Sequence, residues 1–270
     1  MFERGIEIKT PAQIESMRAA GLVVGSALAL LRSVVAPGMT TAELDTIAHD
    51  HIRSQGATSN FLGYHGFTGV ICTSVNDQVV HGIPGTRVLR DGDIISIDCG
   101  AIVDGWHGDA ATTVAIGEVP DEVTQLMRVT EEALWRGIAA AALGGHVGDI
   151  SNAVERHVAS QGGFGIVPDY TGHGIGSAMH QPPNVPNHGK AGKGAKLVEG
   201  LALAVEPMVV AGEPWTHTDD DEWTVRTDDG SWAAHFEHTF TLTEGGAWVL
   251  TALDGGEAQL TALGVRFGGH

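Results

Sequence analysis

The chain of 270 residues reads as an α+β protein in which one helix-helix-β-hairpin unit is used twice. The helices are expected to pack on a curved antiparallel sheet, with a central cleft where the two halves meet. Three observations carry this reading: a helical stripe that recurs in the second half, a strand-turn-strand centred on Asp104-Gly105, and acids set inside apolar, strand-like runs.

The elements follow in order. Thr10, Pro11 and Gln13 have the spacing of an N-cap, a first-turn proline and a capping-box partner. They open a helical segment over 11–33. Its most apolar part, AAGLVVGSALALL (19–31), is too short to span a bilayer and holds Gly21, Gly25 and Ser26, so a buried helix is expected. Next, TTAELDTIAHDHIRSQG (40–56) has Thr40 and Glu43 at capping-box spacing. Leu44, Ile47, Ala48, His51 and Ile52 form one stripe, and Gly56 stops the helix. DISNAVERHVASQG (149–162) repeats it: Asp149 is placed to cap, and Ile150, Ala153, Val154, His157 and Val158 occupy the same five positions. The endings HIRSQG and HVASQG lie 106 residues apart, and a helical segment over 120–142 stands where 11–33 stood. GYHG (63–66) then matches TGHG (171–174), and ISIDCG (95–100) matches LAVEPM (203–208). An ordered series of matches predicts a duplication, with halves of about 5–118 and 119–250 and a glycine-rich, peripheral tail over 251–270, the whole of 1–270 forming one domain.

IDCGAIVDGWHGD (97–109) raises the chemical question. A two-residue Asp-Gly turn pairs Val103 with Trp106, which puts Asp98 opposite Ala111 and Asp109 opposite Gly100. The two acids then project from one face as diagonal neighbours. Carboxylates that close repel unless a proton or a cation lies between them. The second half supplies two more. Glu206 aligns with Asp98 inside the apolar run LALAVEPMVV, and the stretch 223–243 has another Asp-Gly turn, expected to form a hairpin with Glu237 in its second strand. TGHGIGSAMH adds His173 and His180 among glycines. Four buried carboxylates without cations are prohibitively costly, and two divalent ions would neutralise them.

Composition narrows the partners. A hydrophobic share of 43% with 18% charged residues fits a globular protein, and a net charge of −18 argues against a surface built to grip phosphate backbones. Cys72 and Cys99 make no disulfide framework, which suits a reducing cytosol. The start MFERGIEIKT has no basic segment followed by an apolar one, so a cytoplasmic location without membrane association is expected. GKAGKGAK (189–196) lacks the Gly-Lys-Ser/Thr of a phosphate loop and reads as solvated, and no Gly-x-Ser-x-Gly elbow supports a serine hydrolase.

FLGYHGF, NDQVVHGIPG, IDCGAIVDGWHGDA, TGHGIGSAMHQPPNVPN, LALAVEPMVVAG and HFEHTF, taken in this order, resemble the type I methionine aminopeptidases of the pita-bread metallopeptidase fold, over about residues 5–250. The resemblance implies a dinuclear centre with ligands Asp98, Asp109, His173, Glu206 and Glu237, of which Asp109 and Glu237 match the positions shared by both ions. It implies that His81 and His180 contact the substrate and that Glu206 also shuttles a proton. The methionine pocket falls to Tyr64, Phe67, Cys72, His81, Met179, His180 and Trp223, with Phe61 at its mouth. An oxygen-rich set suits Co, Mn or Fe(II), with Zn or Ni as further options. The implied reaction removes the N-terminal methionine of nascent proteins and peptides when the second residue is small, through a metal-activated water. A monomer is expected, and Lys190, Lys193 and Lys196 offer a surface for ribosome association. Two departures stand out: Thr68-Gly69-Val70 replaces the usual Pro-x-Ser after Phe67, and Thr171 replaces a frequent cysteine. His107 shares the face of Asp109 but matches no ligand position. X-Pro aminopeptidases and prolidases use the same ligand types, and inactive pita-bread binding modules lose them; both are the alternatives.

Overall fold

A computed structural model describes residues 5–270; the first four residues, part of the stretch read for a targeting signal, lie outside the described residues. Helices α1 (Pro11–Val34), α2 (Thr41–Ser54), α3 (Asp121–Ala140) and α4 (Val147–Gln161) form the two predicted pairs. Both first-half caps are present. The Gln13 carboxamide oxygen accepts from the Thr10 backbone N–H at 2.8 Å, and the Glu43 carboxylate accepts from that of Thr40 at 2.7 Å. In α4 the predicted cap moves. His146 is the N-cap residue, and Asp149 sits three residues inside the helix, accepting from the His146 N–H at 2.8 Å. The acid therefore works from the far end of a capping box, because α4 begins three residues earlier than its stripe suggested.

The duplication is visible in the main sheet. Its path runs Thr58–Ser59, Ile94–Val103, Trp106–Ala115, Glu237–Thr243, Ala202–Val205, Gly172–Gly174, Gln181–Val185. Ile71–Val75 adds to one flank and Gly246–Val249 to the other. The halves join where Glu237 pairs with Ala111 and His238 with Ala110. On either side of that seam, Ile94–Val103 and Ala202–Val205 hold equivalent places, as do Trp106–Ala115 and Glu237–Thr243. The helices cover one face of the sheet. Leu28, Leu31, Leu44 and Ile52 close over Ile95, Ile97 and Cys99 in the first half, and Leu126, Ile138 and Val154 pack with Leu203, Val205 and Phe240 in the second.

The hairpin over 94–115 has the predicted register at every pair from Val103↔Trp106 to Asp98↔Ala111. The second Asp-Gly turn behaves differently. Val225–Thr227 pairs with Thr216–Thr218 and Gln78–Val80, whereas Ala233–His235 pairs with Met208–Val210, so no hairpin forms across Asp229-Gly230. The Asp229 carboxylate accepts from the N–H groups of Ser231 and Glu213, which bends the chain out of one small sheet and into another. α1 is long and apolar enough in length and composition to cross a membrane. Its apolar side, however, is buried on the sheet, and the Arg18 guanidinium donates to the carbonyls of Leu250, Ala252 and Leu253. The tail, expected at the periphery, is tied down: α5 (Glu257–Ala262) buries Leu260, and Gly268 donates to the Ala247 carbonyl.

Candidate metal centre

On the face opposite the helices, the ladder lines up Asp98, Ala111 and Glu237 across three adjacent strands, with Asp109 two residues from Ala111. The small side chain of Ala111 leaves space between the acids around it. Glu206 follows the end of Ala202–Val205, where Pro207 cannot donate to the ladder and the strand stops. His173 comes from Gly172–Gly174, and its neighbours must be glycines. A Cβ on Gly172 would collide with the Ala204 carbonyl and one on Gly174 with the Pro182 carbonyl. Close backbone approach brings the imidazole in: His173 Nε2 lies 3.4 Å from Glu206 Oε1.

The electrostatics point one way. His173 Nδ1 lies 3.0 Å from the Gly174 carbonyl, which accepts only an N–H, so the proton sits on Nδ1 and the Nε2 lone pair faces the carboxylates. Asp98 Oδ1, Asp109 Oδ1 and Glu237 Oε1 are buried without a hydrogen-bond partner. Burial lifts Asp98 to about 7, against a lowering hydrogen bond with Asp109. Burial, and then the neighbouring carboxylates, push Asp109, Glu206 and Glu237 well above the usual carboxylate range. Burial also drives His173 down to about 3, keeping the ring neutral. Carboxyl groups this close and out of water must share protons or hold cations, and four of them beside an imidazole lone pair fit divalent cations. The residues present match the group.

Beside these acids lies a cavity of about 110 Å³ into which every sequence-predicted site residue opens. Its apolar side is a cluster of Phe61, Phe67, Cys72 and Met179, edged by Tyr64, Ile83 and Trp223. Phe67 meets Trp223 edge-on at 5.0 Å and Phe61 at 6.5 Å. Cys72 pairs with Asp98 across the ladder, and burial followed by the Asp98 charge raises its thiol well above the ordinary range, so it lines the cavity as a neutral sulfur. His180 bridges the two sides: its ring meets His173 at 4.4 Å, and its Nδ1 lies 2.8 Å from the Tyr64 hydroxyl. His81, lowered to about 4 by burial and then by His180, stacks edge-on against Trp223 and Tyr170. It holds a left-handed backbone (φ 60°), which costs a non-glycine residue and fixes where the ring points. His107 stands apart, with Nδ1 3.1 Å from the Asn60 carboxamide oxygen.

Sequence reasoning missed one residue. His235 is buried, its Nε2 has no hydrogen-bond partner, and it forms a second ligand-like cluster with Glu206 and Glu237 beside that of Asp109, His173 and Glu237. The signal was present in HFE: His235 and Glu237 are two apart, the strand period, and so face the same way. Ile83 gave no comparable signal.

Comparison with known proteins gives the family. The profile of metallopeptidase family M24 matches residues 15–244. The chain is 49% identical over 247 residues to a methionine aminopeptidase of Clostridium acetobutylicum, covering 91% of this chain and 98% of that one. It is 47% identical over 254 residues to methionine aminopeptidase 1 of Mycobacterium tuberculosis, covering 92% and 96%. The crystal structure of a methionine aminopeptidase from Thermotoga maritima superposes with a TM-score of 0.90 at 42% identity, over 92% of this chain and 99% of that one. A prolidase from Pyrococcus furiosus shares the fold at a TM-score of 0.72 and 19% identity, with this chain covering 65% of its length. A duplicated sheet, a buried cluster of acids with imidazoles beside it and a match along most of its length lead to one assignment: the chain belongs to metallopeptidase family M24.

Proposed function

We propose that this metallopeptidase removes the N-terminal methionine from nascent proteins and peptides whose second residue is small. The observation that carries the reading is the contact between two unlike surfaces: a sulfur- and aromatic-lined pocket opens directly onto the buried carboxylates. Aromatic edges and sulfur suit an unbranched thioether.

Asp98, Asp109, His173, Glu206 and Glu237 would hold two divalent ions, with Co, Mn or Fe(II) favoured by the oxygen-rich set and Zn or Ni as alternatives. Once bound, such ions supply Lewis acidity and lower the pKa of a water towards ~7. The chain's residues do the rest. The Glu206 carboxylate, beside His173, accepts a proton from the attacking water and returns it to the leaving amine. His180, neutral and anchored through Nδ1 to Tyr64, steadies charge developing on the carbonyl oxygen. His81 hydrogen-bonds the scissile amide from its fixed backbone position. Phe61, Tyr64, Phe67, Cys72, Met179 and Trp223 hold the methionine side chain and exclude water.

Residues 1–270 work as one catalytic domain whose two halves each contribute ligands, acting as a monomer in the cytoplasm. The exposed Lys190, Lys193 and Lys196 form the surface for ribosome association; co-sedimentation unchanged on replacing all three would sink that part. The central test is turnover of Met-Ala-Ser, Leu-Ala-Ser and Ala-Pro peptides by metal-loaded protein. Cleavage of the first alone is expected. Preference for Ala-Pro would indicate a prolidase-type enzyme, and inactivity with every metal a binding module.

A further inference from the structure

Residues 5–10 precede α1 yet lie on the second half of the molecule, where the Lys9 N–H donates to the Gly200 carbonyl at 2.8 Å. The Lys9 ammonium is buried, donates to the Glu7 carbonyl at 3.1 Å and stands 3.6 Å from Glu7 Oε2. With its side chain steadied in this way, Glu7 grips a single residue through both oxygens. Oε2 accepts from the Ser177 N–H at 3.0 Å, and Oε1 accepts from the Ser177 hydroxyl at 2.7 Å. Burial works against the charged carboxylate, but the Ser177 bonds, Gln181 and Lys9 outweigh it and hold Glu7 below the ordinary carboxylate range. Hydrogen bonds to an ionised acceptor are the strong ones.

The residue held by this clamp lies in a stretch with little else to order it. Gly176–His180 falls between strands Gly172–Gly174 and Gln181–Val185 and belongs to neither. The Gly176 carbonyl accepts from the His107 N–H at 3.0 Å, and its N–H donates to the Ala178 carbonyl at 3.1 Å. A Cβ on Gly176 would meet the Glu7 carboxylate and the Lys9 side chain, so the glycine makes room for both. Gln181 Nε2 donates to the Ser177 hydroxyl oxygen at 3.1 Å and ties the two ends of the stretch together. Between those ends lie Met179, in the pocket wall, and His180, whose ring stands against His173. Ser177 is exposed, so without Glu7 its two donors would turn to water and the loop would lose its anchor.

We propose that Glu7 is a positioning residue for the reaction: by clamping Ser177 it fixes the loop that aims His180 at the substrate carbonyl and Met179 into the pocket. Lys9 fixes Glu7 in turn. The inference rests on the role proposed above for His180 and deepens it, because it names what holds that ring in place from the far side of the loop.

A double-mutant cycle on metal-loaded protein tests it, with hydrogen exchange as a readout independent of turnover. Glu7→Ala is expected to lower kcat for Met-Ala-Ser about tenfold at unchanged metal occupancy, within the ~100-fold that a small misplacement can cost. In the His180→Ala background the same change should lower kcat less than about twofold, because the ring through which it acts is gone. Amide exchange over 175–181 should be at least about tenfold faster in Glu7→Ala and should slow again in Glu7→Gln, which keeps an acceptor for Ser177. An equal loss of kcat with and without His180 overturns the proposal, since a general loosening of the fold acts on both. Unchanged kcat or unchanged exchange in Glu7→Ala also overturns it. Should Glu7→Ala not fold, Ser177→Ala, which removes only the hydroxyl bond, carries the same cycle with the same outcomes. If the unaltered protein turns over no Met-Ala-Ser while loop exchange still depends on Glu7, the reading of function fails and the clamp stands.

Discussion

The two halves of this molecule build matching parts of one site by different means. In the first half, Asp98 and Asp109 sit in a single ten-by-ten hairpin whose two-residue turn fixes the register. In the second, Glu206 lies beyond the end of a four-residue strand, Glu237 opens a strand and pairs there with Ala111, far away in sequence, and His173 arrives on a three-residue strand between glycines. A local turn is enough to oppose two acids. The other three expected ligand positions depend on contacts that form only when the sheet closes.

That contrast can be tested, beginning with the seam. Glu237 pairs with Ala111 of the other half and belongs to both ligand clusters. Glu237→Ala is expected to lower metal occupancy below one ion per chain and peptide turnover by at least about 10³-fold, beyond the loss of a single transition-state donor. Inductively coupled plasma analysis alongside Met-Ala-Ser hydrolysis checks both. Asp98→Asn and Glu206→Gln occupy equivalent places in the duplication but have unequal tasks. Turnover should track occupancy in the first and fall well below it in the second; equal behaviour would remove the proton-transfer role of Glu206. His180→Ala, with no ligand lost, is expected to cut kcat by roughly 10²-fold at unchanged occupancy.

Smaller effects concern stability. In metal-stripped protein the native state holds protons on Asp98 up to about 7, against an ordinary 3.8. A raised folded pKa means that the native state binds more protons than the unfolded chain in this window. The stabilisation is therefore complete below it and is lost as pH rises from about 4 to about 7. Tm of the stripped protein should fall across that range, with a shallower slope in Asp98→Asn. Metal-loaded protein should show the reverse trend, because protons compete with the ion. The smallest effect compares the caps: Thr40→Ala should cost about 1 kcal/mol in urea unfolding, and Asp149→Ala a similar amount through the opposite end of its box.

Patterns of short range decided what could be read directly. The 3.6-residue stripes of α2 and α4, the Thr10 and Thr40 caps and the Asp104-Gly105 turn each depend on neighbours within one or two turns of chain, so the sequence by itself determined these elements, the duplication and the meeting of Asp98 with Asp109. The resemblance in its ordered motifs supplied the remaining expected ligands and the pocket. Only the tertiary structure decided what depends on closure of the sheet. It separated the strands on either side of Asp229-Gly230 and moved the Asp149 cap inside α4. It also packed Leu260 of the tail into the core and turned His235 towards Glu206. The physical reason is the same throughout. A turn or cap is paid for by local hydrogen bonds, whereas the partner of a strand end is chosen by whichever distant backbone leaves no polar group unpaired.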